Sequence, residues 1–160
     1  MKELKRDAYG RTILTHYICD EKNKEAVKMI ENTDIDFNQS DIEGYTYLHF
    51  AAQFEMPDVI RALLNKGAKV DIETKNGGTP LWIAVSRAKW YSIERVLEVI
   101  KLLLDAGADP NETANGITLK KLASDTNIPQ VIELICRNWN LTMRMEMSPW
   151  SRTPSTAGSQ

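Results

Sequence analysis

The stretch Gly44-Tyr45-Thr46-Tyr47-Leu48-His49-Phe50-Ala51 returns 33 residues later as Gly77-Gly78-Thr79-Pro80-Leu81-Trp82-Ile83-Ala84. The residues after each copy agree as well. Asp58-Val59-Ile60-Arg61-Ala62-Leu63-Leu64-Asn65-Lys66-Gly67-Ala68 matches Glu98-Val99-Ile100-Lys101-Leu102-Leu103-Leu104-Asp105-Ala106-Gly107-Ala108. An earlier copy, Glu25-Ala26-Val27-Lys28-Met29-Ile30-Glu31, precedes them, and degenerate openings stand at Gly10-Arg11-Thr12-Ile13-Leu14 and Gly116-Ile117-Thr118-Leu119. Four units therefore begin near Thr12, Thr46, Thr79 and Thr118. A fixed period of this length marks a stack of similar supersecondary units.

Each unit reads as two short helices and a turn. The threonines stand where a helix begins and can cap free backbone N–H groups. Pro80 comes after its threonine at the first helical position, where a missing N–H is harmless. Leu48, Ala51 and Ala52 give the first helix a small apolar face, and Val59, Ile60, Leu63 and Leu64 form the stripe of the second. Gly67 and Gly107 stop that helix in a left-handed conformation. Asn76-Gly77 and Asn115-Gly116 supply tight turns into the next unit. Two short helices cannot bury such faces alone, so the units must stack side by side.

Over residues 7–137 this pattern resembles the ankyrin repeat family, with its unit of about 33 residues and Thr-Pro-Leu-His-x-Ala signature. The resemblance implies an all-α ankyrin repeat solenoid of four helix-turn-helix repeats joined by β-hairpin-like turns. Residues 1–137 would form the repeat domain and 138–160 a C-terminal extension, disordered from 151. His49 fills the signature's histidine position, which implies a ring that braces adjacent turns; Trp82 takes that position one unit on.

Two departures stand out. Thr79 to Thr118 is 39 residues rather than 33, and Thr79 to Gly107 is 28 where Thr46 to Gly67 is 21. Seven residues are thus added around 86–96, with Ser92 expected to cap a lengthened helix from Ile93, and one is lost from the next turn. The first unit carries one extra residue within Asp20-Glu21-Lys22-Asn23-Lys24.

The composition is that of an ordinary globular chain: 160 residues, 42% hydrophobic and 26% charged. Twenty basic against 22 acidic side chains give a net charge of −2, which argues against a nucleic acid partner. No apolar run approaches the ~20 residues of a membrane span, and the charged N-terminus shows no signal peptide, so a cytoplasmic location is expected. Cys19 and Cys136 belong to opposite ends of the array and are expected as free thiols.

Catalytic motifs are missing: no Gly-x-Ser-x-Gly elbow and no phosphate loop. Gly77-Gly78-Thr79-Pro80 reads as a turn and a cap. The two histidines, His16 and His49, have no Cys or His at metal-ligand spacing. The carboxylates Glu31, Asp34, Asp36, Asp41, Glu43, Asp71 and Glu73 read as solvated turns, with an acidic rim that steers a basic partner as the alternative. The expectation is no enzyme activity, no cofactor, no metal and no small-molecule substrate.

What is left is a surface. The family's concave face, carried over by register, implies partner-binding positions at Tyr9 and Arg11, then Ile42, Glu43, Tyr45, Gln53 and Phe54, then Lys75, Asn76, Ser86 and Arg87, with Ala114 and Ile117 in the last unit. Trp90 and Tyr91 add the insertion to its edge. Tyr, Trp and Arg dominate binding hot spots. The chain is also similar to small stand-alone bacterial ankyrin proteins, often encoded beside secreted toxins. That likeness implies an immunity or inhibitor protein that blocks a toxin; the alternative is a generic adaptor or scaffold.

Overall fold

The computed structural model describes residues 4–90 and 92–146, with side chains through residue 139. Tyr91, Met147, Trp150, the 151–160 segment and the side chains of Met143 and Met145 lie outside the described residues. The helices come in pairs: α1 (Ile13–Cys19) with α2 (Asn23–Asn32), α3 (Tyr47–Gln53) with α4 (Pro57–Asn65), α5 (Pro80–Arg87) with α6 (Ile93–Asp105), and α7 (Leu119–Asp125) with α8 (Pro129–Glu146). A two-residue antiparallel pair, β1 (Thr113–Ala114) and β2 (Ile117–Thr118), precedes α7.

Local chemistry sets each boundary. Thr12, Thr46, Thr79 and Thr118 all hold extended backbone at the N-caps of α1, α3, α5 and α7. The hydroxyls of Thr79 and Thr118 accept the N–H of Trp82 and Lys121, each at 3.2 Å. In the first two units the threonine N–H donates to the side chain three residues on, Thr15 Oγ1 at 3.3 Å and His49 Nδ1 at 3.0 Å, as part of a capping box. Helices α4 and α6 end alike: Ala68 N–H returns to the Leu63 carbonyl and Ala108 N–H to Leu103, each at 3.0 Å, around left-handed Gly67 and Gly107.

The pairs stack into two layers. Helix α3 packs between α1 and α5, and α5 between α3 and α7; behind them α4 packs between α2 and α6, and α6 between α4 and α8. Leu14, Leu48 and Leu81, each two residues past its capping threonine, and Leu119, one past Thr118, are fully buried in the first layer, as are Ile60, Leu63, Ile100 and Leu103 in the second. Burying each contributes about 1.5–3 kcal/mol, and the contacts run between neighbouring units. This is the expected helix-turn-helix solenoid with hairpin-like connections.

The insertion divides cleanly. Four residues lengthen α6 at its N-terminus (thirteen residues against nine in α4), one lengthens α5 (eight against seven in α3), and two enlarge the turn between them. Ser92 is the N-cap of α6, but its hydroxyl bonds Glu94 Oε2 at 2.6 Å rather than a backbone N–H. The added residues also replace a regular feature. Glu21, Glu55 and Asn127, each nine residues past its capping threonine, have positive φ and turn the chain from first helix to second. At that register the third unit has Ala88 in right-handed conformation. Helix α8 runs through position 137 to Glu146.

The hairpin tips lie against one another. Asp41 Oδ1 accepts the N–H groups of Glu43 and Tyr45, both at 2.9 Å, and Asp7 Oδ1 does the same for Tyr9 and Arg11. The solvated-turn reading therefore fails for Asp41, whose side chain is only 3% exposed because it builds the turn from inside. Gly44 has φ +87°, and a Cβ there would meet Thr74 Cα at 2.9 Å; Gly67 has φ +83° and open space around it. Gly67→Ala should cost about 1–2 kcal/mol for backbone strain alone. Gly44→Ala should cost roughly 1–3 kcal/mol more, because the third unit must also shift. Urea unfolding of both variants checks this, and equal losses would mean that the tips are not closely packed.

Candidate functional site

The tips form a row rather than separate loops. Ile42 N–H donates to the Tyr9 carbonyl and Lys75 N–H to the Glu43 carbonyl, both at 3.0 Å, so the first three hairpins are joined by their backbones. On this row Tyr9 is 59% and Ile42 50% exposed. Glu43 and Lys75 form a solvent-facing ion pair at 3.6 Å, and Asn76 is exposed beside them. Ile117 continues the exposed apolar positions into the fourth hairpin.

Behind the tips, aromatic packing replaces exposure. The Arg11 guanidinium lies 5.4 Å from the Tyr9 ring and 5.5 Å from the Phe50 ring, and its Nε is 3.5 Å from Asp41 Oδ2. Tyr45 is half-buried, 5.5 Å from His49 and 5.4 Å from Phe50 between ring centroids. Gln53 and Phe54 are half-buried, Phe54 packed on the core. Ser86 is half-buried, bonded to the Ile83 carbonyl at 2.8 Å, and Ala114 is buried. Arg87 is exposed at the end of α5, and Trp90 just beyond it is 78% exposed. Tyr91 is outside the described residues.

So the structure gathers Tyr9, Arg11, Ile42, Glu43, Lys75 and Asn76 at the tips and sets Arg87 and Trp90 at the far end of the first-layer helices. Tyr45 stands between tips and core, and Gln53 and Phe54 at the end of α3. Exposed Ile93 beside Trp90 had no sequence signal, since it occupies an apolar position of a helical stripe. Ile13 is exposed for a plain reason: among the described residues no unit precedes the first to cover it.

Among the described residues three titratable groups are strongly perturbed, and none is bonded to another. Burial lowers the His49 pKa to about 4, against the opposing bond to Gly78. Its Nδ1 accepts the Thr46 N–H, which leaves Nε2 as the protonated nitrogen donating to the Gly78 carbonyl at 3.1 Å. The ring thus braces the second unit against the third, as expected from its position. Trp82 offers no such acceptor, and the third unit is tied to the fourth by the Thr79 hydroxyl donating to Glu112 Oε2. Burial pushes Glu112 up to about 7, with Asp109 and Glu73 adding repulsion against the Thr79 bond. Glu55 is likewise raised to about 7 by burial. Neither glutamate stands in a catalytic motif, and no signal in the sequence singles out either one.

A family model described as Ankyrin repeats (3 copies) matches residues 16–114 and 48–145. A putative ankyrin repeat-containing protein of Treponema pallidum is 31% identical over 131 residues, 81% of this chain and 42% of that protein. A putative ankyrin repeat protein of Rickettsia felis is 30% identical over 128 residues, 78% of this chain and 52% of that protein. The human BCL-6 corepressor-like protein 1 is 37% identical over 98 residues, 61% of this chain but 5% of its own length. The chain thus spans at most about half the length of these relatives.

The Glu112 environment makes a pH prediction. Its folded pKa of about 7 lies above the ordinary 4.5, so the folded state holds the proton more tightly. The wild type should then lose stability as pH rises from about 4.5 to 7, while Glu112→Gln, neutral throughout, lacks this contribution. The stability difference between variant and wild type, from urea midpoints, should grow in favour of Glu112→Gln across that window and be flat on either side. A difference independent of pH would contradict the assignment.

Proposed function

Since the chain belongs to the ankyrin repeat family, whose repeats mediate protein–protein interaction, we propose that it works as a non-enzymatic binding module whose contact surface is the backbone-joined row of hairpin tips. The observation that carries this is the bonding of Ile42 N–H to the Tyr9 carbonyl. It fixes two large exposed apolar side chains on neighbouring tips, so little conformational freedom is lost when a partner covers them. Arg11, held over Tyr9, and the Glu43–Lys75 pair supply a polar rim of both signs.

The finer proposal is blockade: a rigid apolar row seated on a toxin's active site would act as an immunity or inhibitor protein. Its support is the likeness to small bacterial ankyrin proteins, together with relatives from Treponema and Rickettsia. A second reading, an adaptor, is favoured by Trp90 and Ile93, a second exposed apolar pair at the opposite end of the first-layer helices. Helix α5, with eight residues, separates the two by about 12 Å. One partner could span both, or two partners could each take one.

Affinity capture with the full chain from cells that express it, followed by variants, separates these outcomes. Tyr9→Ala and Ile42→Ala should each weaken binding roughly 10- to 30-fold while the fold persists, the range for truncated apolar anchors. If Trp90→Ala releases the same protein, one partner covers both patches and blockade stands. If it releases a different protein, the chain is an adaptor. Full-strength binding by all three folded variants would remove the tip row as the surface.

A further inference from the structure

At the end of the helices away from the tips, two buried acceptors have no donor. Glu55, in the turn between α3 and α4, is 3% exposed, and its Oε1 has no hydrogen-bond partner. Asn23 Oδ1, at the first residue of α2, is equally unpartnered. The Asn23 amide cannot be turned to exchange its atoms, because Nδ2 donates to Asp58 Oδ2 at 2.9 Å. Both residues line one cleft of about 280 Å³, together with Glu21, Phe54, Asp58 and Arg95. A single water needs roughly 10–15 Å³ of such space, so the cleft has room for a larger group.

The comparison between units shows why Glu55 is special. Glu21 has the same register and the same left-handed backbone, yet it is exposed. The lengthened helix of the next unit brings Ser92 and Arg95 to Glu55, and both favour its ionised form against the burial that raises its pKa. One carboxylate oxygen remains without a donor.

We propose that this cleft receives an arginine side chain of a partner polypeptide, whose guanidinium N–H groups donate to Glu55 Oε1 and Asn23 Oδ1. A planar fork of several donors serves two separated acceptors at once, which a single hydroxyl or amide cannot. Glu21 adds negative charge, Asp58 is already paired with Arg61 at 3.0 Å, and Phe54 offers an aromatic surface on which a guanidinium stacks. The proposal rests on the protein-binding reading for the source of the side chain only; the cleft itself is independent of the tip row.

The probe is N-acetyl-L-arginine amide, titrated into the full chain and followed by amide chemical shifts at pH 6 and pH 8. Saturable shifts are expected around residues 21–23, 54–58 and 92–95. Because the free Glu55 carboxyl titrates at about 7, the cation must displace a proton at the lower pH, and binding should be roughly tenfold weaker there. Glu55→Gln should lose about tenfold or more in affinity and the pH dependence with it; Asn23→Ala, whose spectrum elsewhere reports an intact fold, should bind at an intermediate strength. The neutral isostere N-acetyl-L-citrulline amide should not bind. Absence of saturable shifts, equal shifts with citrulline, or wild-type affinity in both variants overturns the proposal. So does binding that occurs only in Arg95→Ala, which would mean that the chain's own arginine fills the cleft. An equal response to N-acetyl-L-lysine amide overturns the assignment to guanidinium. Every one of these failures leaves the tip-row reading untouched.

Discussion

In the first three units a pair of helices only seven to thirteen residues long exposes as much apolar surface as it can cover, so each unit here exists because its neighbours do. The first-layer leucines Leu14, Leu48, Leu81 and Leu119 have no solvent exposure, and the partners that cover them come from the next unit as much as from their own. The same dependence fixes the geometry of the tips. Hairpins that grow from stacked helices arrive side by side, close enough for the bonds from Ile42 to Tyr9 and from Lys75 to Glu43. The binding row is a consequence of the core.

The polar links between units solve one problem with different groups. Thr12 and the Tyr47 hydroxyl meet at 2.9 Å across the first junction, His49 reaches Gly78 across the second, and Glu112 takes the Thr79 hydroxyl across the third. Each satisfies a buried polar group beside a helix start, where capping atoms would otherwise lack partners. A neutral imidazole and two high-titrating glutamates are the electrostatic result of burying ionisable groups between units. Their perturbation reflects packing between units.

Most of the fold was legible because its signals are local. A threonine before an apolar run, a glycine after one, and Asn-Gly between units each act over a few residues, and repetition multiplied the signal. What was not legible depends on neighbours far along the chain. Asp41 reads as a turn carboxylate, yet backbone N–H groups and Arg11 enclose it. Tyr45 reads as an exposed anchor, yet His49 and Phe50 draw it half inward. Trp90 shows no such pull, because the turn that carries it has left the helical stripe. The left-handed register of Glu21, Glu55 and Asn127 was within reach of the sequence, nine residues after each threonine, but glutamate is not a residue type that announces positive φ.

The insertion in the third unit changes more than length. In the other units the turn between helices is three residues closing through one left-handed residue. Seven added residues abolish that residue, place Trp90 and Ile93 in solvent, and extend α6 by a full turn over the preceding unit. The extension buries Glu55 while its counterpart Glu21 stays wet. An exposed apolar pair and an enclosed carboxylate thus have one cause: both arise from adding a turn of helix where the array has no unit-sized partner to receive it. A repeat stack keeps its interior by regularity, so its distinctive chemistry is to be sought where the regularity breaks. In this chain that place is the end of the helices opposite the tips.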